Sequence, residues 1–287
     1  MWWLLGTALG AFILYAWWIE PALRLRVQQW DVTSKVWRGP DLRIVILSDI
    51  HAGWPYVSLS RVRRIVDRAN ALSPDLAVNL GDLGSAHFLS TRYTKRDVVD
   101  ALAHFKGALG TYYILGNHDW WQDREALGAR AVPEAARALS EAGLSFLDNE
   151  AQLLDHGDHK FAVVGLGDQR PHSHDPAFPG FDDLELALSS VPADVPAILL
   201  AHEPDVFPDV PANVALVLSG HTHGGQVRFG SWAPFIRFSR NEVFFYGPYE
   251  TKDGRKLVIS GGIGCANVPA RFGVPPEITV VTLRAAT

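Results

Sequence analysis

The chain has 287 residues, with 26 basic and 31 acidic side chains and a formal net charge of −5. That balance, without a Lys/Arg run or aromatic–basic interleaving, excludes the electrostatic footprint of a nucleic-acid binder. Hydrophobic residues make up 48% of the chain, ample for a core, and the single cysteine, Cys265, excludes an internal disulfide.

In chain order, the N-terminus speaks first. Met1 to Trp18 carries no charged side chain, and the first to appear is Glu20. An eighteen-residue helix is roughly 27 Å long, enough to cross a hydrocarbon core with little tilt. Trp2, Trp3, Trp17 and Trp18 sit at its ends, where interfacial aromatic belts belong. A cleaved signal would need a basic n-region and a small-x-small site before Glu20, and an interfacial helix would need a polar face. The segment has none of these. Residues 1–19 are therefore expected to form an uncleaved single-pass transmembrane anchor, followed by a connector over 20–40. Arg24 and Arg26 follow the anchor while only the α-amino group precedes it, so the positive-inside rule leans toward a domain on the cytoplasmic face of the inner membrane. Residues 41–287, roughly 245 in number, fit one α/β domain.

Within that domain strands and helices alternate. Apolar runs at Ile44 to Leu47, Leu76 to Leu80 and Tyr112 to Leu115 read as buried strands. Leu59, Val62, Ile65, Val66 and Ala69 recur at helical spacing between the first two, and Val98, Val99, Leu102 and Phe105 do so before the third. Pro133 to Ala142 predicts a further helix, stopped at Gly143. Strands then dominate: Phe146 to Leu147, Leu153 to Leu154, Phe161 to Val164, Ile198 to Leu200, Ala215 to Leu218, Val243 to Tyr246, Lys256 to Ile259 and Ile278 to Leu283. Two sheets flanked by helices fit this order. Pro171 to Phe181, with three prolines and little periodicity, reads as a loop.

Five of these runs end in side chains able to bind metal. They are Asp49-Ile50-His51, Gly81-Asp82, Gly116-Asn117-His118-Asp119, Ala201-His202-Glu203 and Gly220-His221-Thr222-His223. The ends of buried strands are where open α/β sheets build their sites. Taken singly, an Asp at such a place is usually a cap or turn residue, and a lone His a satisfied core residue. Taken together, the set is hard to explain by packing. Asp, His and Asn supply hard oxygen and borderline nitrogen donors with no thiolate nearby, a mixture suited to Mn²⁺, Fe or Zn²⁺. Two divalent ions held by two carboxylates and a bridging hydroxide keep about one net positive charge, a trap for phosphate. The glycines before Asp82, Asn117 and His221 mark places where backbone turns tightly or approaches the ions.

The ordered set D-x-H, G-D, G-N-H-D, a lone His and G-H-x-H resembles the pattern of the calcineurin-like metallophosphoesterases. The match runs from about Asp41 to Leu283. Glu20-Pro21, the run Leu200 to Asp205, Gly224-Gly225-Gln226-Val227 and the run Pro269 to Glu277 resemble its membrane-associated bacterial branch. The resemblance implies a four-layer α/β/β/α sandwich with metals at the sheet edge, here preceded by the transmembrane helix. It also implies two divalent metal ions. One would be held by Asp49, His51, Asp82 and His223, the other by Asp82, Asn117, His202 and His221, with Asp82 shared. His118 would be a non-ligand histidine that stabilises the transition state or protonates the leaving oxygen.

The expected activity is hydrolysis of a P–O bond in a phosphate-ester substrate by metal-bridging hydroxide. The anchor points to a lipid-linked substrate, with UDP-2,3-diacylglucosamine as the specific candidate drawn from the resemblance, and a broader phosphodiesterase or phosphomonoesterase acting on envelope material is equally compatible. The competing reading keeps the fold as a non-catalytic protein-binding scaffold at the membrane, but such scaffolds would be expected to lose ligands, and none is missing. His172-Ser173-His174-Asp175 reads as a solvated loop rather than a lid. Cys265, in a Gly-rich segment, reads as a small buried residue.

Overall fold

Alternation along the strands sorts the apolar residues into three layers. In the strand Leu42–Leu47, Ile44 and Ile46 point to one side and Val45 and Leu47 to the other, all fully buried. The first pair packs between two sheets with Leu76, Val78, Ile198, Leu200, Leu216 and Val258. The second pair packs under helices with Val62, Ile65, Val98, Leu102 and Leu139. A third cluster covers the far face of the second sheet, where Leu199, Val217 and Leu257 meet Ala187, Val206 and Phe207. The result is the four-layer α/β/β/α sandwich. This architecture belongs to a computed structural model describing residues 2–171, 179–230, 232–234 and 243–286.

Among the described residues, each of the two stacked sheets has six strands. The first runs in the order Arg26–Ser34, Glu277–Ala285, Leu42–Leu47, Leu76–Asn79, Thr111–Tyr113 and Ser145–Phe146. The second runs Gly247–Glu250, Lys256–Ile259, Val214–Ser219, Ala197–Leu200, His159–Gly165 and Glu150–His156. The strands that end in the motif residues are parallel neighbours in each sheet: Leu42–Leu47, Leu76–Asn79 and Thr111–Tyr113 in one, Ala197–Leu200 and Val214–Ser219 in the other. Parallel register delivers their C-terminal ends to one edge, and this is what gathers five separated motifs into one place.

The expected helices appear as Leu59–Asn70, Lys95–Leu102 and Glu134–Glu141, the last ending before Gly143 in left-handed conformation (φ 70°). The strand expected over Val243 to Tyr246 lies four residues later, at Gly247–Glu250. Residues 243–246 turn instead, because the Tyr249 hydroxyl accepts the N–H groups of Phe245 and Tyr246 and Phe244 packs edge-on against Phe207. Residues 20–40 do more than connect. Arg26–Ser34 is a full edge strand, paired in parallel with Glu277–Ala285 over nine residues.

The N-terminal helix spans Trp2–Leu23, long and apolar enough to cross a membrane. Its first part, Trp2–Leu14, buries nothing. Its last part, Tyr15–Leu23, winds as a π-helix and buries Ala16, Glu20 and Pro21. In a π-helix the Ala16 carbonyl looks to the N–H of residue 21, which is a proline and has none. The Arg271 N–H takes that place at 2.8 Å. Glu20, the only charged residue of the helix, accepts the Val274 N–H at 2.9 Å, and Arg61 donates to the Pro21 carbonyl at 2.7 Å. The Glu20-Pro21 pair thus pins the helix to the domain. Cys265 is buried, as expected.

Candidate metal centre

All seven expected ligands lie at the sheet edge, buried and within reach of one another. Donor atoms of Asp49, His51 and His223 lie within 4.8 Å of each other, as do those of Asp49, Asp82 and His202, and those of His202, Glu203 and His221. Asp82 Oδ2 is 3.5 Å from His51 Nε2 and 3.3 Å from His202 Nε2, the central position expected of a shared carboxylate. Asn117 Oδ1 faces His221 Nδ1 at 3.0 Å. His118 stands beside this cluster, its ring edge-on to His51 at 5.1 Å and to Trp121 at 4.5 Å.

The backbone bends sharply to achieve this. Asp49, His51, Asp82, His221 and His223 all have positive φ, between 43° and 67°. Left-handed conformation at a non-glycine residue costs about 1–3 kcal/mol, and such outliers gather at functional sites. Five in one cavity make a strong concentration. Gly116 serves by smallness rather than by φ, since a Cβ there would sit 2.6 Å from His202 Nε2. Gly81 needs both, with φ 91° and the Gly116 backbone against its α-carbon.

The hydrogen bonds that hold the rings test whether a metal fits. His51 Nδ1 donates to the Gly84 carbonyl at 3.1 Å, and His202 Nδ1 donates to the Leu80 carbonyl at 2.6 Å. Each bond fixes the ring and turns Nε2 into the cavity, the arrangement usual behind metal-binding imidazoles. Among the described residues, buried Asn117 Nδ2 has no hydrogen-bond partner. The donor set fits divalent ions. His223 is different. Arg271 Nη2 donates to its Nδ1 at 3.1 Å, leaving the ring proton on Nε2, 3.2 Å from His51 Nε2. For His223 to offer Nε2 as a ligand, that proton must leave and the Arg271 contact must shift.

Several residues that carry no donor role in the sequence pattern hold the site. Asp119 accepts the N–H groups of Asp82 (2.9 Å), Leu83 (3.1 Å) and Gly116 (3.2 Å), and Lys95 Nζ reaches it at 2.7 Å. Asp82 Oδ1 accepts the His118 N–H, and Asp49 accepts that of His221. Asp119 could be suspected from its place beside His118. Lys95 left no trace, because its helix starts thirteen residues after Asp82 and only the fold brings it back.

Burial and mutual charge shift several of the groups here. Burial pushes the Asp82 carboxyl up, but His202, His118 and His51 outweigh it and hold it well below the usual range. For His202 burial pushes down, and Asp82 reverses this, raising it well above the ordinary imidazole range. Burial lowers His223, with His51 and Arg271 adding to it, and raises Asp49. His118 is lowered to about 4, chiefly by burial, so its ring is neutral at pH 7. Interdependence of this kind in one cavity marks a functional site.

Comparison with known proteins agrees with the geometry. A sequence model described as calcineurin-like phosphoesterase matches residues 42–225, which hold all five motifs. The chain belongs to this family. A metallophosphoesterase of Bacillus subtilis is 30% identical over 275 residues, covering 94% of this chain and 89% of the relative. A transmembrane protein with metallophosphoesterase domain from Danio rerio is 31% identical over 267 residues, 89% of this chain. The chain spans 57% of that relative's length. Among solved structures, the NAD nucleotidase of Haemophilus influenzae superposes with a TM-score of 0.50 at 15% identity, over 79% of this chain and 46% of that one, which shows a shared fold. The loop with His172 and His174 lies outside the described residues.

Proposed function

We propose that the chain is a dinuclear metal-dependent phosphohydrolase anchored to a membrane, acting on a lipid-linked phosphate ester. The observation that carries this is the buried donor cluster, in which His51 and His202, each held through Nδ1, turn Nε2 toward a shared Asp82. Asp49, His51, Asp82 and His223 would hold one ion, and Asp82, Asn117, His202 and His221 the other. When bound, such ions polarise phosphoryl oxygens and acidify water.

The chain's own residues do the rest. The Asp119 clasp holds Asp82 in its strained conformation, so the shared carboxylate is preorganised. His118, neutral and beside the donors, presents an N–H to a phosphoryl or leaving oxygen. Arg92 and Arg124 line the cavity that contains His118 and draw in a phosphate anion. The apolar helix would place this site at a bilayer, with Arg24 and Arg26 favouring the cytoplasmic side of the inner membrane. UDP-2,3-diacylglucosamine remains the specific candidate substrate.

The test is hydrolysis of bis-p-nitrophenyl phosphate by the full chain purified in detergent and loaded with Mn²⁺, with metal content measured in parallel. Asp82→Ala is expected to lose both ions and all turnover. Full metal content in that variant would overturn the shared-carboxylate assignment. A wild-type protein that binds metal, stays folded and hydrolyses neither this ester nor UDP-2,3-diacylglucosamine would favour the scaffold reading.

A further inference from the structure

The N-terminal helix and the domain enclose a cavity of about 780 Å³. Phe12, Ala16 and Trp17 line it from one face of the helix, and Val227, Val268 and Ala270 close it from the domain. Its volume is that of a small-ligand site, typically ~300–1,000 Å³. The polar liner Gln226 is already spent within the protein. Its amide nitrogen donates to the carbonyls of Ala266 and Val268, and its Oε1 accepts the Ala266 N–H. Among the described residues the wall carries no charge, and its other polar liner, Asn267, stands where this cavity meets the next one, so the rest of the wall suits hydrocarbon.

A second cavity, of about 550 Å³, contains His118 with Arg92, Trp121, Gln122 and Arg124. Asn267 lines both. Two spaces of opposite character therefore share one wall, the cationic one at the metal centre and the apolar one against the helix fit to cross a bilayer. The surface around the apolar cavity continues this pattern. Phe229 and Trp232 are 45% and 63% exposed. Phe229 packs on Phe272 at 4.9 Å, and Phe272 packs on Phe12 of the helix at 4.9 Å. An exposed apolar patch continuous with such a helix is where a protein meets lipid.

We infer that the apolar cavity receives the hydrocarbon tail of the substrate while its phosphate ester lies beside His118, with Asn267 between the two. The inference rests on the phosphohydrolase reading and adds where the lipid-linked substrate's tail binds: an amphiphilic phosphate ester is taken from the bilayer, its tail passing from lipid to protein without crossing water.

The experiment is a chain-length series. The full chain in detergent, loaded with Mn²⁺, is given p-nitrophenyl alkyl phosphate diesters with butyl, octyl and dodecyl tails. Each methylene buried is worth about fourfold in affinity, reduced here by competition from the micelle, so kcat/KM is expected to rise at least about tenfold from butyl to dodecyl, chiefly through KM. Ala16→Phe and Val268→Trp fill the cavity from opposite walls. Each should bring the dodecyl-to-butyl ratio down to about threefold or less while leaving butyl-ester kinetics as in wild type. Micelle partitioning is the same for all three proteins and cancels between them. Equal kcat/KM across the series in wild type, or an undiminished ratio in both variants, overturns the tail site while hydrolysis itself stands. Failure of metal-loaded wild type to cleave even the butyl ester overturns the phosphohydrolase reading, and the inference falls with it.

Discussion

His118 sits among metal donors yet makes no contact that would commit its ring to them. Its backbone N–H is tied to Asp82, and its side chain leans on His51 and Trp121. Removing the ring should therefore leave the donors in place. His118→Ala is expected to retain wild-type metal content and to slow turnover by ~10²–10⁴-fold, the usual worth of a positioned proton donor. Wild-type turnover in that variant would assign the role elsewhere. His87, 3% exposed and edge-on to Tyr56, bears on stability instead. Burial, helped by His51, lowers its imidazole from 6.5 to about 4 in the fold. Between those two values the unfolded chain binds a proton that the native chain refuses. The stability tied to neutral His87 is thus complete above pH 6.5 and lost as pH falls toward 4. His87→Phe is expected to flatten the fall in urea-unfolding free energy across that window, and an unchanged slope would show that His87 is not its source.

At the scale of elements, the helix Lys95–Leu102 does two jobs. Val98, Val99 and Leu102 pack it on the first sheet, and Lys95, in its first turn, reaches the buried Asp119. Lys95→Met strands that carboxylate without its cation. The loss is expected to be about 3–5 kcal/mol, because an unpaired buried charge remains. Adding Asp119→Asn should recover part of it, and additive losses would deny the pairing. The apolar positions of this helix were plain from their spacing, since the core rewards period. Lys95 was not, because its partner lies 24 residues on and a lone lysine before a helix usually faces water. The donors were legible for a related reason: each closes a buried parallel strand, so strand and ligand appear together in the sequence. Arg26–Ser34 escaped because Val27 packs on the opposite side from Trp30 and Val32, so no continuous alternation announces the strand. The Arg271–His223 contact escaped because nothing in a Pro- and Gly-rich run says where an arginine will point.

For the whole molecule, the N-terminal helix divides into an exposed apolar part, long and apolar enough with the rest to meet a membrane, and a part that belongs to the domain. Trp2–Leu14 buries no residue, whereas Tyr15–Leu23 supplies the carbonyl of Ala16 to Arg271, the carboxylate of Glu20 to Val274 and the carbonyl of Pro21 to Arg61. Arg61 also depends on the Arg24 carbonyl, and among its acceptors only Tyr56 would outlast loss of the helix. Arg271 carries the effect inward, since the residue whose N–H meets Ala16 also holds His223. Two deletions separate these roles. Removing residues 1–11 should abolish stable membrane association and leave the domain's unfolding free energy and metal content unchanged. Removing residues 1–24 should cost several kcal/mol, because each buried donor left without an acceptor costs about 1–3. It should also change metal binding through His223, whose ring Arg271 holds. Denaturant titration and metal analysis of both proteins in the same detergent decide the matter. Equal stability in the two would mean the helix is only a tether. Loss confined to the longer deletion would make residues 15–24 part of the domain's core, so that the domain begins inside the apolar helix rather than after it.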